Sequence, residues 1–389
     1  MTGTKHKFHT LDGLRGIAAL AVVSLHTKDV IGGLPFPRAY LAVDLFFIMS
    51  GIVIAYAYDR RLAGEMTARQ FMLARLVRLY PLYILGTVIF IAGIAIGLAS
   101  GIPFELWNGD KLLWAALPAL FMLPSYAEGF STLYPLNGPT WSLMFELIVN
   151  CAYAFFFPWL TTRVLLAVMG VSALGLAAIA LAGHSLDLGA DWVAIYGGFP
   201  RVFWSFPAGV LLFRLLNSDR LPRIKIPASL IMIGSLALFA VPLPEALVPF
   251  WDLLAILILL PLIAWVATNN EPGWGARFYA WLGLISYPVY MLHISAYHIL
   301  RKVVSKVIGA DLTSLTPWIG LFLLILIAIA AWAADRIYDR PVRSWLQRRF
   351  LRREPGPLDD TPARELSAQT ETAPPVMSQS QPITIKPSN

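Results

Sequence analysis

The feature that most limits this chain is a succession of ten apolar runs, each near the length needed to cross a bilayer. A hydrocarbon core about 30 Å thick is spanned by about 20 apolar residues in helical form. The runs fall at roughly 12–29, 39–58, 79–99, 140–160, 163–183, 199–216, 227–242, 250–268, 281–300 and 316–335. Lipid offers backbone groups no hydrogen-bond partner, so such runs are helices. The expected fold is all-α, a polytopic membrane protein with about ten transmembrane helices. The segment 112–124 is apolar but too short to span, and is expected as an interfacial or re-entrant piece of the loop 100–139. Composition agrees: 58% of residues are hydrophobic and 14% charged, against about 25% charged in soluble domains. A disordered chain, a disulfide scaffold and an ordinary cytosolic enzyme are excluded. The first run carries Asp12 and Arg15 and lacks a small-x-small cleavage site. It is expected to remain as a span, not to be removed as a signal peptide.

Lysine and arginine set the expected orientation, because they gather in cytoplasmic loops. With ten spans and both termini cytoplasmic, 23 of the 30 basic residues fall inside and 7 outside. The net charge of +7 is thus a matter of topology. Without a basic soluble domain, nucleic acid is not an expected partner. Cys151 is the single cysteine, which excludes an intrachain disulfide and a multi-cysteine metal site and leaves an inert small hydrophobe. Six histidines without ligand spacing argue against a metal, and no phosphate-binding loop or nucleophile-elbow motif occurs. After Arg353 the chain turns rich in Pro, Ser, Thr and Gln and cannot bury enough apolar surface to fold. The expected division is a membrane domain over 1–350 and a disordered cytoplasmic tail over 351–389.

A charge inside a span costs roughly 2.5–3.5 kcal/mol on insertion scales, so intramembrane polar residues point to function. In the first span Arg15 and His26 are 11 residues apart. They therefore differ by about 20° around the helix and are separated by about 16 Å along it. Asp44 opens the second span at the depth of His26, either to pair with that imidazole or to cap its helix. Ser50 and Gly51, on the same span, read as small residues for close helix packing. Arg75 and Arg78 precede Pro81 on one helical turn, as a fork for phosphates or as ordinary cytoplasmic-side charge. Ser142 and Glu146 share a face of the fourth span, and Glu146 needs a partner, His26 or an arginine. Trp141 beside them is a belt tryptophan or the wall of a substrate site. Ser286, Tyr290 and His293 form one polar stripe on the ninth span, where Pro288 is expected to kink the helix.

Taken in order, Arg15–x10–His26, AVDLFFIMSG, the arginine pair before YP, PTWSLMFE and SYPVYMLH resemble the acyltransferase 3 group of integral membrane acyltransferases. The group includes bacterial O-antigen and exopolysaccharide O-acetyltransferases, and the likeness runs over about residues 8–345. Ala42 and Ile52 stand where glycine and phenylalanine are frequent in the group, away from the presumed chemistry. The resemblance implies an enzyme of the bacterial inner membrane that moves an acyl group, acetyl above all, from cytosolic acyl-CoA to a hydroxyl of a glycan or lipid-linked glycan. No extracytoplasmic hydrolase domain follows in this sequence, so direct delivery to the acceptor is expected. Acyl-CoA is a donor substrate, and no permanently bound cofactor is expected. On this reading Arg15, Arg75 and Arg78 hold the coenzyme A phosphates. His26 is the base or carries a transient acyl group, with Asp44 or Glu146 orienting it. Trp141, Ser142, Tyr290 and His293 face the substrate. The alternative is a proton-coupled transporter or exporter of a lipid or glycan, which also needs intramembrane charges.

Overall fold

Each apolar run becomes a helix because in an apolar setting only the i→i−4 ladder satisfies the backbone locally. The computed structural model describes residues 8–351, save 102, 103, 105, 274, 310 and 311. Among them regular structure is helical, apart from one isolated antiparallel bridge between Thr132 and Asp191. The long helices are α1 (His9–His26), α2 (Ala42–Leu62), α3 (Ala68–Ala99), α4 (Gly109–Leu120), α5 (Thr140–Phe155), α6 (Thr162–Leu181), α7 (Ile195–Asn217), α8 (Ala228–Ala240), α9 (Glu245–Asn269), α10 (Ala276–Ile308) and α11 (Trp318–Phe350). Ten of them coincide with the expected runs, and α4 is the short piece. Six of the described helices, α2, α3, α6, α7, α9 and α11, are long and apolar enough to cross a membrane. The expected tail lies outside the described residues beyond Leu351.

Three close helix pairs organise the bundle. Helix α1 lies along α10, with Gly13 against Tyr279 and Gly16 against Leu282 near one end and His26 against His293 near the other. Contacts that ascend together in both numberings mean that the two helices run parallel. Helix α3 runs parallel to α10 as well: Tyr287 Oη donates to Leu79 O at 2.5 Å, and further along Ser295 Oγ donates to Gly86 O at 2.9 Å. Helices α2 and α7 form the third parallel pair, from Asp44–Arg201 to Asp59–Arg214. They meet backbone to backbone. A Cβ on Gly209 would fall on the carbonyl oxygen of Ile48, and one on Gly51 on that of Phe206. Gly51 thus performs the packing expected of it, whereas Ser50 serves elsewhere.

Helix α10 continues through Pro288, whose missing N–H leaves one carbonyl of the preceding turn without its ladder partner. Helix α11 contains one wide π turn over Asp335–Asp339. After it, Arg340 Nε meets Asp335 Oδ2 at 2.7 Å and Arg343 Nε meets Asp339 Oδ2 at 2.8 Å. All but Arg340 of these four are buried. Cys151 is exposed on α5.

Candidate active site

Helix α1 carries one group of polar side chains near each end, on nearly one face, since 11 residues are close to three turns. Near its N-terminal end Arg15 lies within electrostatic reach of Asp12, Arg78, Glu146 and Arg75. The arginines come from α3. That helix starts where Thr67 and Gln70 close a reciprocal capping box, which places Arg75 and Arg78 two to three turns in. Arg75 Nη2 donates to Glu146 Oε1 at 2.6 Å, and Ser50 Oγ donates to the same oxygen at 2.8 Å. Arg75 Nε is buried without a hydrogen-bond partner. Tyr287 of α10 lies within electrostatic reach of Arg75, Arg78, Glu146 and Asp339. The result is a cationic cluster, partly neutralised by carboxylates, whose guanidinium forks suit phosphate oxygens.

At the other end His26 is the last residue of α1, and its side chain is exposed. Its Nδ1 lies 2.9 Å from Val22 O and 3.2 Å from His293 Nε2. The two rings are 5.1 Å apart, centre to centre. His293 is wholly buried, and its Nδ1 lies 3.0 Å from Tyr290 O and 3.2 Å from Val289 O. Beneath it Tyr290 Oη and Ser142 Oγ are 2.8 Å apart. Helix α5 joins the two groups: Ser142 reaches the tyrosine beside the histidines, and Glu146, one turn on, reaches Arg75.

Several expected placements need correction. Asp44 does not meet His26, nor does it cap its helix. It is fully buried in a two-pronged ion pair with Arg201, with Nη2 to Oδ2 at 2.6 Å and Nε to Oδ2 at 3.1 Å, and Ser205 Oγ donates to Oδ1 at 3.3 Å. An aspartate in a membrane interior takes the strongest partner within reach, and a buried guanidinium outcompetes an imidazole. Glu146 takes the arginine among its expected partners and not His26. Trp141 is neither a belt residue nor an open wall. It is buried beneath Arg201, whose guanidinium carbon sits 5.4 Å from the centre of its ring. His293, without exposure, reaches a substrate only through His26. Arg201 itself is the residue that sequence reasoning passed over. The signal was there, because it is a charge inside the expected run 199–216 with an unmatched acid, Asp44, in another run.

Comparison with known proteins agrees with this picture. Residues 8–352 match the acyltransferase 3 family, described as an acyltransferase domain. "Protein 2 in picA locus" of Rhizobium radiobacter is 38% identical over 175 residues, 43% of this chain and 91% of the relative. "Exopolysaccharide production protein ExoZ" of Rhizobium meliloti (strain 1021) is 27% identical over 275 residues, 67% of this chain and 77% of the relative. No solved structure matches.

Proposed function

The chain belongs to the acyltransferase 3 family, and from that premise we propose that it transfers an acetyl group from cytosolic acetyl-CoA to a hydroxyl of a glycan or lipid-linked glycan. Family membership makes it an acyltransferase and displaces the transporter reading. The observation that carries the rest is the arrangement on α1: a phosphate-suited arginine cluster near one end and an exposed, backbone-anchored imidazole at the other, about 16 Å apart. Arg15, Arg75 and Arg78 hold the coenzyme A phosphates. The pantetheine arm extends along α1 and brings the thioester to His26. The His26 ring takes the acceptor's hydroxyl proton as that oxygen attacks the thioester carbonyl. The C–O bond forms, the C–S bond breaks, and the leaving thiolate takes the proton back from the imidazolium. The glycan acceptor is supported by the relative named for exopolysaccharide production.

The same reading includes ten spans with both termini cytoplasmic, in the inner membrane of a bacterium. Its supports are the 23 to 7 distribution of basic residues, the Rhizobium relatives and the three parallel helix pairs. In a ten-span order that leaves α4 out, α1, α3 and α10 are the first, third and ninth spans and cross in one direction. Helices α2 and α7 are the second and sixth and cross in the other. Residues 1–350 form the catalytic domain, and the tail 351–389 is dispensable for catalysis. The deciding experiment is mass spectrometry of surface polysaccharide from cells with and without the protein, paired with acetyl transfer from labelled acetyl-CoA by purified protein in liposomes. Ester-linked acetyl groups should disappear with the protein and return with the active chain. Unchanged ester content, or no consumption of acetyl-CoA with the native glycan supplied, would refute the assignment.

A further inference from the structure

The histidine pair allows the protons to be placed by elimination. A backbone carbonyl oxygen accepts hydrogen bonds and never donates them. His293 Nδ1 has two such oxygens, of Tyr290 and Val289, at 3.0 and 3.2 Å. It therefore carries the proton, and Nε2 of a neutral His293 is left as an acceptor. That acceptor faces His26 Nδ1 at 3.2 Å, and the same Nδ1 has Val22 O at 2.9 Å. Both neighbours of His26 Nδ1 are acceptors, so it too must be the protonated nitrogen. Two bare lone pairs opposed across 3.2 Å would repel. Nε2 of His26 is left unprotonated.

We infer that His293 is a positioning residue: it holds His26 as the Nδ1–H tautomer and leaves His26 Nε2 as the lone pair that removes the proton from the acceptor hydroxyl. This rests on the proposed role of His26 as base and adds how that base is made ready. In a serine-type triad a carboxylate does this by accepting from the imidazole Nδ1–H. Here both carboxylates that could have done so are engaged, Asp44 by Arg201 and Glu146 by Arg75 and Ser50. A neutral imidazole stands in that place, held in turn by the α10 backbone. When His26 takes the proton, its Nδ1–H still points at two acceptors, Val22 O and His293 Nε2, which stabilise the imidazolium without a buried negative charge.

The test compares His293→Phe, which keeps bulk but offers no acceptor, with His293→Gln, whose amide oxygen can accept from His26 Nδ1–H. Acetyl transfer is measured with the full-length protein in liposomes, per mole of protein that elutes as a folded species. His293→Phe should lower kcat by about 10- to 100-fold, within the contribution of a general base, with KM for acetyl-CoA unchanged. His293→Gln should recover at least half of that loss on a logarithmic scale. In a His26→Ala background, His293→Phe should have no further effect, since a residue that acts only through another is silent once that other is gone. Equal activity of the two His293 variants would overturn the inference, and so would a full further loss in the His26→Ala background. Both results would leave the base assignment standing if His26→Ala alone is strongly impaired but still measurable. A fully active His26→Ala would instead overturn both.

Discussion

Replacing Arg201 by methionine tests what the Asp44 carboxylate is for. The guanidinium is wholly buried and makes five hydrogen bonds: Nε to both Asp44 oxygens at 3.3 and 3.1 Å, Nη2 to Oδ2 at 2.6 Å and to Tyr40 O at 3.0 Å, and Nη1 to Leu188 O at 2.7 Å. Methionine fills much of the volume and makes none of them. Asp44 would keep only the Ser205 hydroxyl at 3.3 Å, and the Tyr40 and Leu188 carbonyls would each lose one donor. Removing one member of a buried ion pair costs about 3–5 kcal/mol, because the remaining charge is left uncompensated. At about 1.4 kcal/mol per factor of ten, the cost of about 3–5 kcal/mol lowers the ratio of folded to unfolded protein by roughly a hundred- to a few thousand-fold. Pairing Arg201→Met with Asp44→Leu removes both charges and should recover most of the loss. The assay is thermal unfolding in detergent, followed by size exclusion, with acetyl transfer per folded molecule measured on what survives. Asp44→Asn should lower the transition temperature yet keep specific activity within a few-fold of the parent. A variant with unaltered thermal stability and specific activity down about 100-fold would refute this reasoning and return Asp44 to the chemistry.

Three further outcomes follow from the packing and the charge distribution. Gly209→Val places branched carbons on the Ile48 carbonyl, and overpacking of this kind costs about 1–3 kcal/mol; the same thermal assay should show it, and an unshifted transition would mean that α2 and α7 are not in backbone contact. Arg78→Ala should raise KM for acetyl-CoA, with Arg78→Lys recovering only part because the two-pronged fork is lost; equal KM in all three proteins, measured by initial rates, would remove Arg78 from the donor site. In a Cys151→Ser background, single cysteines at 129 and 220 should label from opposite sides of the membrane, the first from outside and the second from inside. Labelling of both from one side would overturn the ten-span order.

Much of the helical layout was legible because span length and hydropathy are properties of a contiguous segment. The shared face of Arg15 and His26 was legible for the same reason, since it depends on one helix alone. Which helices lie beside one another does not, and that is where sequence reasoning ran out. The bonds Ser142–Tyr290, His26–His293 and Asp44–Arg201 join residues more than a hundred positions apart. For His26 the expected neighbour was wrong: an acid near the start of the next span was favoured over a histidine on a helix whose adjacency no periodicity reveals. Ser50 was assigned to packing because a small residue beside Gly51 commonly packs, yet its hydroxyl completes the shell of Glu146. The Glu146–arginine pairing was among the expected choices because a carboxylate in a span must find a cation, whichever helix supplies it.

The wide turn in α11 has a bearing on how the last part of the chain tolerates length changes. A π turn takes one residue more than an α turn to complete the same rotation, so it works as a phase adjuster between two stretches of one rod. Before it, Leu323, Ile327 and Ala331 mark the inward stripe; Asp339 at its end and Arg343 after it occupy the interior, while Trp345 and Phe350 turn outward. Loss of one residue among 336–338 would let the turn heal into ordinary α-helix. Everything beyond would then keep its direction around the axis, and Arg343 would stay on the side of Asp335 and Asp339. Loss of one residue from an ordinary α stretch of the same helix would instead turn everything beyond it by about 100°. Removal of an exposed residue such as Ile337 should therefore be tolerated where removal of one from 323–331 is not.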